Sequence, residues 1–197
     1  MEINLDDFVK DFRHHSHIDD VDWPFNNKLA PVEFSECNRS NLKEQFEKVK
    51  ANAKAILEIG VCRNGGDSST YVFLNNKNPN TFFIGIDLED KCFLNDKDKN
   101  IYTIKTDSSN YKEIIDECNK LGVTEFDFIF IDGWHSINQC IRDWKFVANL
   151  AKNGIVGLHD TSNHPGPLAL IHNVKQEKWN LEICCLDDNG ISFLSKK

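Results

Sequence analysis

From residue 55 onward, short apolar runs alternate with stretches of helical periodicity, and each run ends in or near a carboxylate. The runs are 55–60 (AILEIG), 81–88 (TFFIGIDL), 101–107 (IYTIKTD), 126–132 (FDFIFID) and 154–160 (GIVGLHD). They are rich in β-branched and aromatic residues, and several are apolar at consecutive positions. Strands buried between two helical layers read this way. Between the runs, Tyr111, Ile114, Ile115, Cys118 and Leu121 form one helical stripe. Asn110 and Glu113 are spaced as a capping box before it, and Gly122 stops it. Ile137, Cys140, Ile141, Trp144, Val147, Ala148 and Ala151 form a second stripe, ended by residues 152–154. A shorter helix is expected from about Ser68, and another from about Pro167 to Glu177.

After residue 178 the pattern changes. Two β-rich stretches, 179–186 and 191–195, flank Asp187-Asp188-Asn189-Gly190, a hairpin signal. Strand–helix units followed by a hairpin predict an α/β domain. Its doubly wound, Rossmann-like sheet is mostly parallel, with helices on both faces. Residues 1–54 lie outside the repeat and are expected to form a helical extension or lid, with a helix over 40–53. The domain proper is expected at 55–197.

Bulk properties narrow the function. At 197 residues there is room for one domain. No apolar run is long enough to span a membrane, and residues 1–17 lack a secretory signal's basic start, so a cytoplasmic protein without membrane partners is expected. A net charge of −8 argues against nucleic acid as a partner. The seven cysteines include no CxxC pair and sit mostly in apolar segments, which reads as free thiols in a reducing compartment.

In an open α/β sheet, ligands bind beyond the carboxyl ends of the strands. There the sequence offers Glu58-Ile59-Gly60, Asp87, Asp107-Ser108, Asp132 and His159-Asp160. The first turn continues through Gly65 and Gly66, which let a ligand approach the backbone. The GxGxxG of nicotinamide enzymes is absent. Asp87 can accept bonds from both hydroxyls of a ribose, and Asp107-Ser108 can meet a base edge. Neighbouring strand ends lie ~5 Å apart, so Asp132 and Asp160 can share one Mg²⁺ as hard oxygen donors. His135 is suited to general-base work. His159 is expected to point away from Asp160, into packing or behind a ligand. Trp134 is open between a base-covering and a core role. His14, His15 and His17 read as a solvated cluster.

The series EIG, GIDLED, TDSSNY, FDFIFIDGWHS and GIVGLHDT resembles the class I S-adenosylmethionine (SAM)-dependent methyltransferases. The stretch from IDGWHS to GLHDT is similar to the subgroup of small sugar and natural-product O-methyltransferases and cephalosporin-hydroxylase-like proteins. This resemblance implies a seven-stranded sheet with an antiparallel last strand. It implies SAM held by Glu58, Gly60 and Gly65 at the methionine end, Asp87 at the ribose, Asp107 and Ser108 at the adenine, and Asp132 beside the reacting centre. It makes His135 and Asp132 catalytic and Asp132 and Asp160 metal ligands for Mg²⁺. A third ligand is usual at Thr161, for which Ser162 or Asn163 are substitutes. The acceptor implied is a small-molecule or sugar hydroxyl. A metal-dependent hydroxylase or a non-catalytic SAM-binding protein are the alternatives. Cys62 stands where the family has a second glycine, and the turn is one residue longer. A homo-oligomer in which a second subunit completes the pocket is one option.

Overall fold

The computed structural model describes residues 34–61, 65–151, 153–186 and 188–197. The histidines at 14, 15 and 17, most of the expected lid, and Cys62 lie outside them. In chain order the elements are α1 (Glu36–Lys50), β1 (Ala55–Ile59), α2 (Ser69–Asn76), β2 (Phe82–Asp87), β3 (Ile101–Lys105) and α3 (Tyr111–Lys120). There follow β4 (Phe128–Ile131), α4 (Ile137–Leu150), β5 (Ile155–His159), α5 (Pro165–Asn173), β6 (Trp179–Cys184) and β7 (Ile191–Lys196). One seven-stranded sheet runs β3-β2-β1-β4-β5-β7-β6. Strands β1 to β5 are parallel, and β7 is antiparallel to both β5 and β6. The sequence expectation of a mostly parallel sheet closed by a hairpin is met.

Strand alternation divides the core in two. Leu57, Ile59, Ile84, Ile86, Ile129, Ile131, Val156 and Leu158 face the layer containing Ile114 of α3, Trp144 of α4 and Leu170 of α5. Ile56, Phe83, Phe128 and Phe130 face Leu42 and Phe46 of α1 and Phe73 of α2. A strand covered on both faces needs apolar residues at odd and even positions, which explains the unbroken runs.

Local signals were partly redirected. Gly122, at φ +74°, ends α3 in a Schellman arrangement: its amide donates to the Asn119 carbonyl, and Val123 N donates to Cys118 O. The capping box at Asn110 does not form. Thr106 Oγ1 instead donates to Glu113 Oε2 at 2.5 Å and accepts from Asn110 Nδ2 at 2.9 Å. Helix α5 starts at Pro165, not Pro167, and stops at Asn173. Helix α1 starts four residues earlier than expected, where Ser35 Oγ accepts from Asn38 N.

The cysteine reading needs correction. Cys37 of α1 and Cys185 after β6 form a disulfide across 148 residues of sequence. Spacing carries no signal for such a pair, because only the docking of α1 beside the hairpin brings the two together. Among the described residues, Cys92, Cys118 and Cys184 are free thiols.

Candidate active site

Parallel pairing brings the carboxyl ends of β1, β2, β4 and β5 to one rim. Ile59 is level with Ile86 and Ile131, and Ile131 with Leu158. The next residues, Gly60, Asp87, Asp132 and His159, therefore emerge side by side. A cleft of about 680 Å³ opens there, lined among others by Gly60, Asp87, Asp107, Ser108, Asp132 and His135. Its size suits a ligand of nucleoside dimensions.

Gly60 sits at φ +84°, and a Cβ there would meet the Asp132 carbonyl oxygen at 2.0 Å. The glycine thus lets the ends of β1 and β4 touch while its own backbone lines the cleft. Asp87 is anchored by two amides: Val61 N donates to Oδ2 at 2.8 Å and Glu89 N to Oδ1 at 2.8 Å. Each oxygen keeps a second lone pair for a ligand. Asp107 Oδ1 accepts from Ser109 N at 2.7 Å. Gln139 Nε2 reaches Ser108 Oγ at 2.9 Å and Asp143 Oδ1 at 3.0 Å, tying this end of the cleft to α4. Gln139 also lines the cleft and was not singled out in the sequence. Its only sequence signal is its place one turn into the helix after IDGWHS. Burial raises the Asp143 carboxyl to about 6. Trp134 is 53% exposed and lines the cleft, which rules out the core reading.

Glu58 departs from expectation. It is fully buried and is not among the lining residues. Its oxygens accept from Ser69 Oγ at 2.5 Å and Thr70 Oγ1 at 2.6 Å. Burial outweighs these bonds and lifts its carboxyl to about 8. Glu58 thus anchors the start of α2, and Ser69, not Glu58, faces the cleft. Gly65 opens a short 3₁₀ turn, Gly65–Asp67, whose Asp67 lines the cleft.

At the other end, four side chains converge. His159 Nδ1 lies 3.1 Å from Asp132 Oδ1 and 3.2 Å from Asp160 Oδ2. His135 Nε2 lies 3.2 Å from Asp160 Oδ2 and 3.6 Å from Asp132 Oδ1. Asp160 turns back toward β4 because it adopts a left-handed backbone, φ +59°, a conformation Asp tolerates better than most residues. His159 therefore does not point away. Its ring packs on Phe34 while Nδ1 faces the carboxylates and Nε2 lies 3.0 Å from the Asn38 amide. Burial alone would lower the His159 imidazole, but the charges of Asp132 and Asp160 raise it to about 10. For Asp132, burial acts upward. The charge of His159 and hydrogen bonds from His135 and His159 prevail and hold its carboxyl well below the usual range. The Asn38 atom facing Nε2 is Nδ2, while Oδ1 is buried without a hydrogen-bond partner. A charged imidazole donates from both nitrogens, so with His159 charged the Asn38 amide turns over to offer Oδ1 to Nε2.

Two sets of donors lie close enough to hold a metal ion: Asp132, His159 and Asp160, and His135, Asp160 and His164. The expected third ligand does not join them. Thr161 Oγ1 is 2.8 Å from Ser192 Oγ, and Asn163 Nδ2 is 3.4 Å from Asn189 Oδ1. Both are turned to β7 and the turn before it. His159 supplies the third donor.

No family model matches the chain, and no curated protein sequence matches it. Solved structures do resemble it. MycE, a methyltransferase of mycinamycin biosynthesis solved with Mg, SAH and mycinamycin VI, has a TM-score of 0.61 at 17% identity over 80% of this chain. The match covers 48% of MycE, so this chain spans about half its length. CalS11, a calicheamicin methyltransferase, matches 96% of this chain and 91% of its own at TM-score 0.59 and 12% identity. A protein from Clostridium thermocellum described as an rRNA methylase matches 79% of this chain and 94% of its own, at TM-score 0.55 and 15% identity. The fold of this chain is the Rossmann-like α/β fold of the class I methyltransferases.

Proposed function

We propose that this protein transfers a methyl group from SAM to a hydroxyl of a small molecule or sugar. The observation that carries the reading is the continuous line of Gly60, Asp87, Asp107 and Asp132 along one cleft, with His135 at its end. In this reading Asp87 accepts from the ribose hydroxyls. Asp107 and Ser108 border the adenine, and Gly60, with the turn at Gly65, approaches the methionine part. The sulfonium methyl is already activated, so the protein's task is to align a nucleophile in line with it. His135, braced by Asp132 and Asp160, takes the hydroxyl proton as the oxygen attacks. Asp132 lies within the cleft and offsets positive charge near the sulfur.

Asp132 and Asp160 also suit a divalent cation. Bound there, it would acidify and orient an acceptor hydroxyl. MycE and CalS11, which carry this fold, are enzymes of mycinamycin and calicheamicin biosynthesis, and this supports the acceptor class. The acidic balance of −8 favours such an acceptor over RNA. Among the described residues no helix is long and apolar enough to cross a membrane. The setting we propose is the cytoplasm, where Cys37–Cys185 would undergo thiol–disulfide exchange. A second copy that completes the acceptor side, and a division into 1–54 and 55–197, belong to the same proposal. Incubating the full chain with ¹³C-methyl-labelled SAM and a panel of hydroxylated sugars and glycosides tests it. Methyl ethers are expected; products methylated only on nitrogen or carbon would overturn the oxygen assignment.

A further inference from the structure

The cation-binding end of the cleft differs chemically from an oxygen-only cradle. Mg²⁺ is bound through carboxylates, phosphates and water, at near-octahedral oxygen positions. Here a nitrogen stands between the two carboxylates. His159 Nδ1 is 3.1 Å from Asp132 Oδ1 and 3.2 Å from Asp160 Oδ2, and the three donor atoms form one compact group. The ring cannot easily leave. It is 1% exposed, packed on Phe34 and Phe130, and held at Nε2 by Asn38. Metal-binding histidines typically donate the second ring N–H to an oxygen. Asn38 faces Nε2 with Nδ2, and its Oδ1 is buried without a hydrogen-bond partner. Turning the amide over lets Oδ1 fill that role and leaves the Nδ1 lone pair aimed at the carboxylates. Asp132 lines the open cleft, so an ion has a way in.

We infer that Asp132, His159 and Asp160 form a mixed nitrogen–oxygen site that selects a first-row transition ion such as Mn²⁺ or Fe²⁺ over Mg²⁺. Imidazole suits the first-row ions, while carboxylate and water suit Mg²⁺ and Mn²⁺ alike. Two carboxylates with one imidazole therefore favour an ion at home with both. On binding, the ion takes the place of the Nδ1 proton, which is released to solvent. His135 stays outside the donor set and remains available as base. The inference deepens the reading of the cleft as a methyl-transfer site, but it is tested without SAM, so the two can fail separately.

The test is pulsed electron paramagnetic resonance on the full, chelator-treated chain loaded with Mn²⁺ alone. Mn²⁺ is a poor thiolate ligand partner and so avoids the free cysteines. Coupling from a directly bound ¹⁴N is expected. It should persist in the double variant His135→Gln/His164→Gln, which removes the other imidazoles of the cluster, and vanish in His159→Gln. Should His159→Gln fail to fold, the double variant still decides. Titrating Mg²⁺ against bound Mn²⁺ should require about a tenfold excess or more to displace it. A Mn²⁺ signal without nitrogen coupling, coupling lost in the double variant, no Mn²⁺ binding, or displacement by equimolar Mg²⁺ would each overturn the inference.

Discussion

A Cβ on Gly60 would stand 2.0 Å from the carbonyl oxygen of Asp132, so the end of β1 rests directly on the end of β4. That contact closes the floor of the cleft and sets how near a ligand can come to both strands. Gly60→Ala should therefore both strain the left-handed backbone and push the strand ends apart. We expect a loss of about 3 kcal/mol in chemical denaturation, together with weakened SAM binding by calorimetry.

Glu58 provides a pH signature. Its carboxyl is raised in the folded protein from 4.5 to about 8 by burial. The folded state thus holds a proton that the unfolded chain gives up, and stability from this group is full below pH 4.5 and lost as pH rises through 8. Glu58→Gln keeps the shape without the titration. Melting temperatures of the two proteins should draw apart toward high pH, because the wild type should fall more steeply between pH 5 and 9. Parallel curves would count against a neutral, buried Glu58.

The parallel sheet, its order of elements and the hairpin were legible because doubly covered strands need apolar residues at every position, and because residues 187–190 carry a turn signature. The row of Asp87, Asp107 and Asp132 was legible because each ends a strand or follows its end within two residues. Other features were not. Whether Glu58 faced ligand or α2 depended on Ser69 and Thr70, eleven and twelve residues away. The direction of His159 depended on the left-handed turn at Asp160, which overrides strict alternation at the last residue of a strand. Cys37–Cys185 and Asn38–His159 join residues more than a hundred positions apart, and no local pattern encodes them.

His135 is placed to test the chemistry apart from binding. His135→Ala should lower kcat by about 10²- to 10⁴-fold, the usual worth of a general base. Affinity for SAM should stay within about twofold, since the ring lies at the acceptor end. Turnover close to wild type, followed by labelled methyl transfer, would remove the base from the account.

The disulfide should carry stability. Cys37→Ser should lower unfolding free energy by about 2–4 kcal/mol under oxidising conditions, and adding dithiothreitol to the wild type should reproduce the change. An unfolding midpoint indifferent to reductant would mean that the pair is not closed in solution.

The most direct measurement is calorimetric titration of the full chain with SAM and with its demethylated product, alongside Asp87→Asn. Both ligands should bind the wild type with micromolar dissociation constants. The Asn variant, which loses the ribose-facing carboxylate, should bind at least about tenfold more weakly, the worth of a charged hydrogen bond. A wild-type chain that takes up neither ligand, or binding untouched by the loss of Asp87, would contradict the assignment of the cleft.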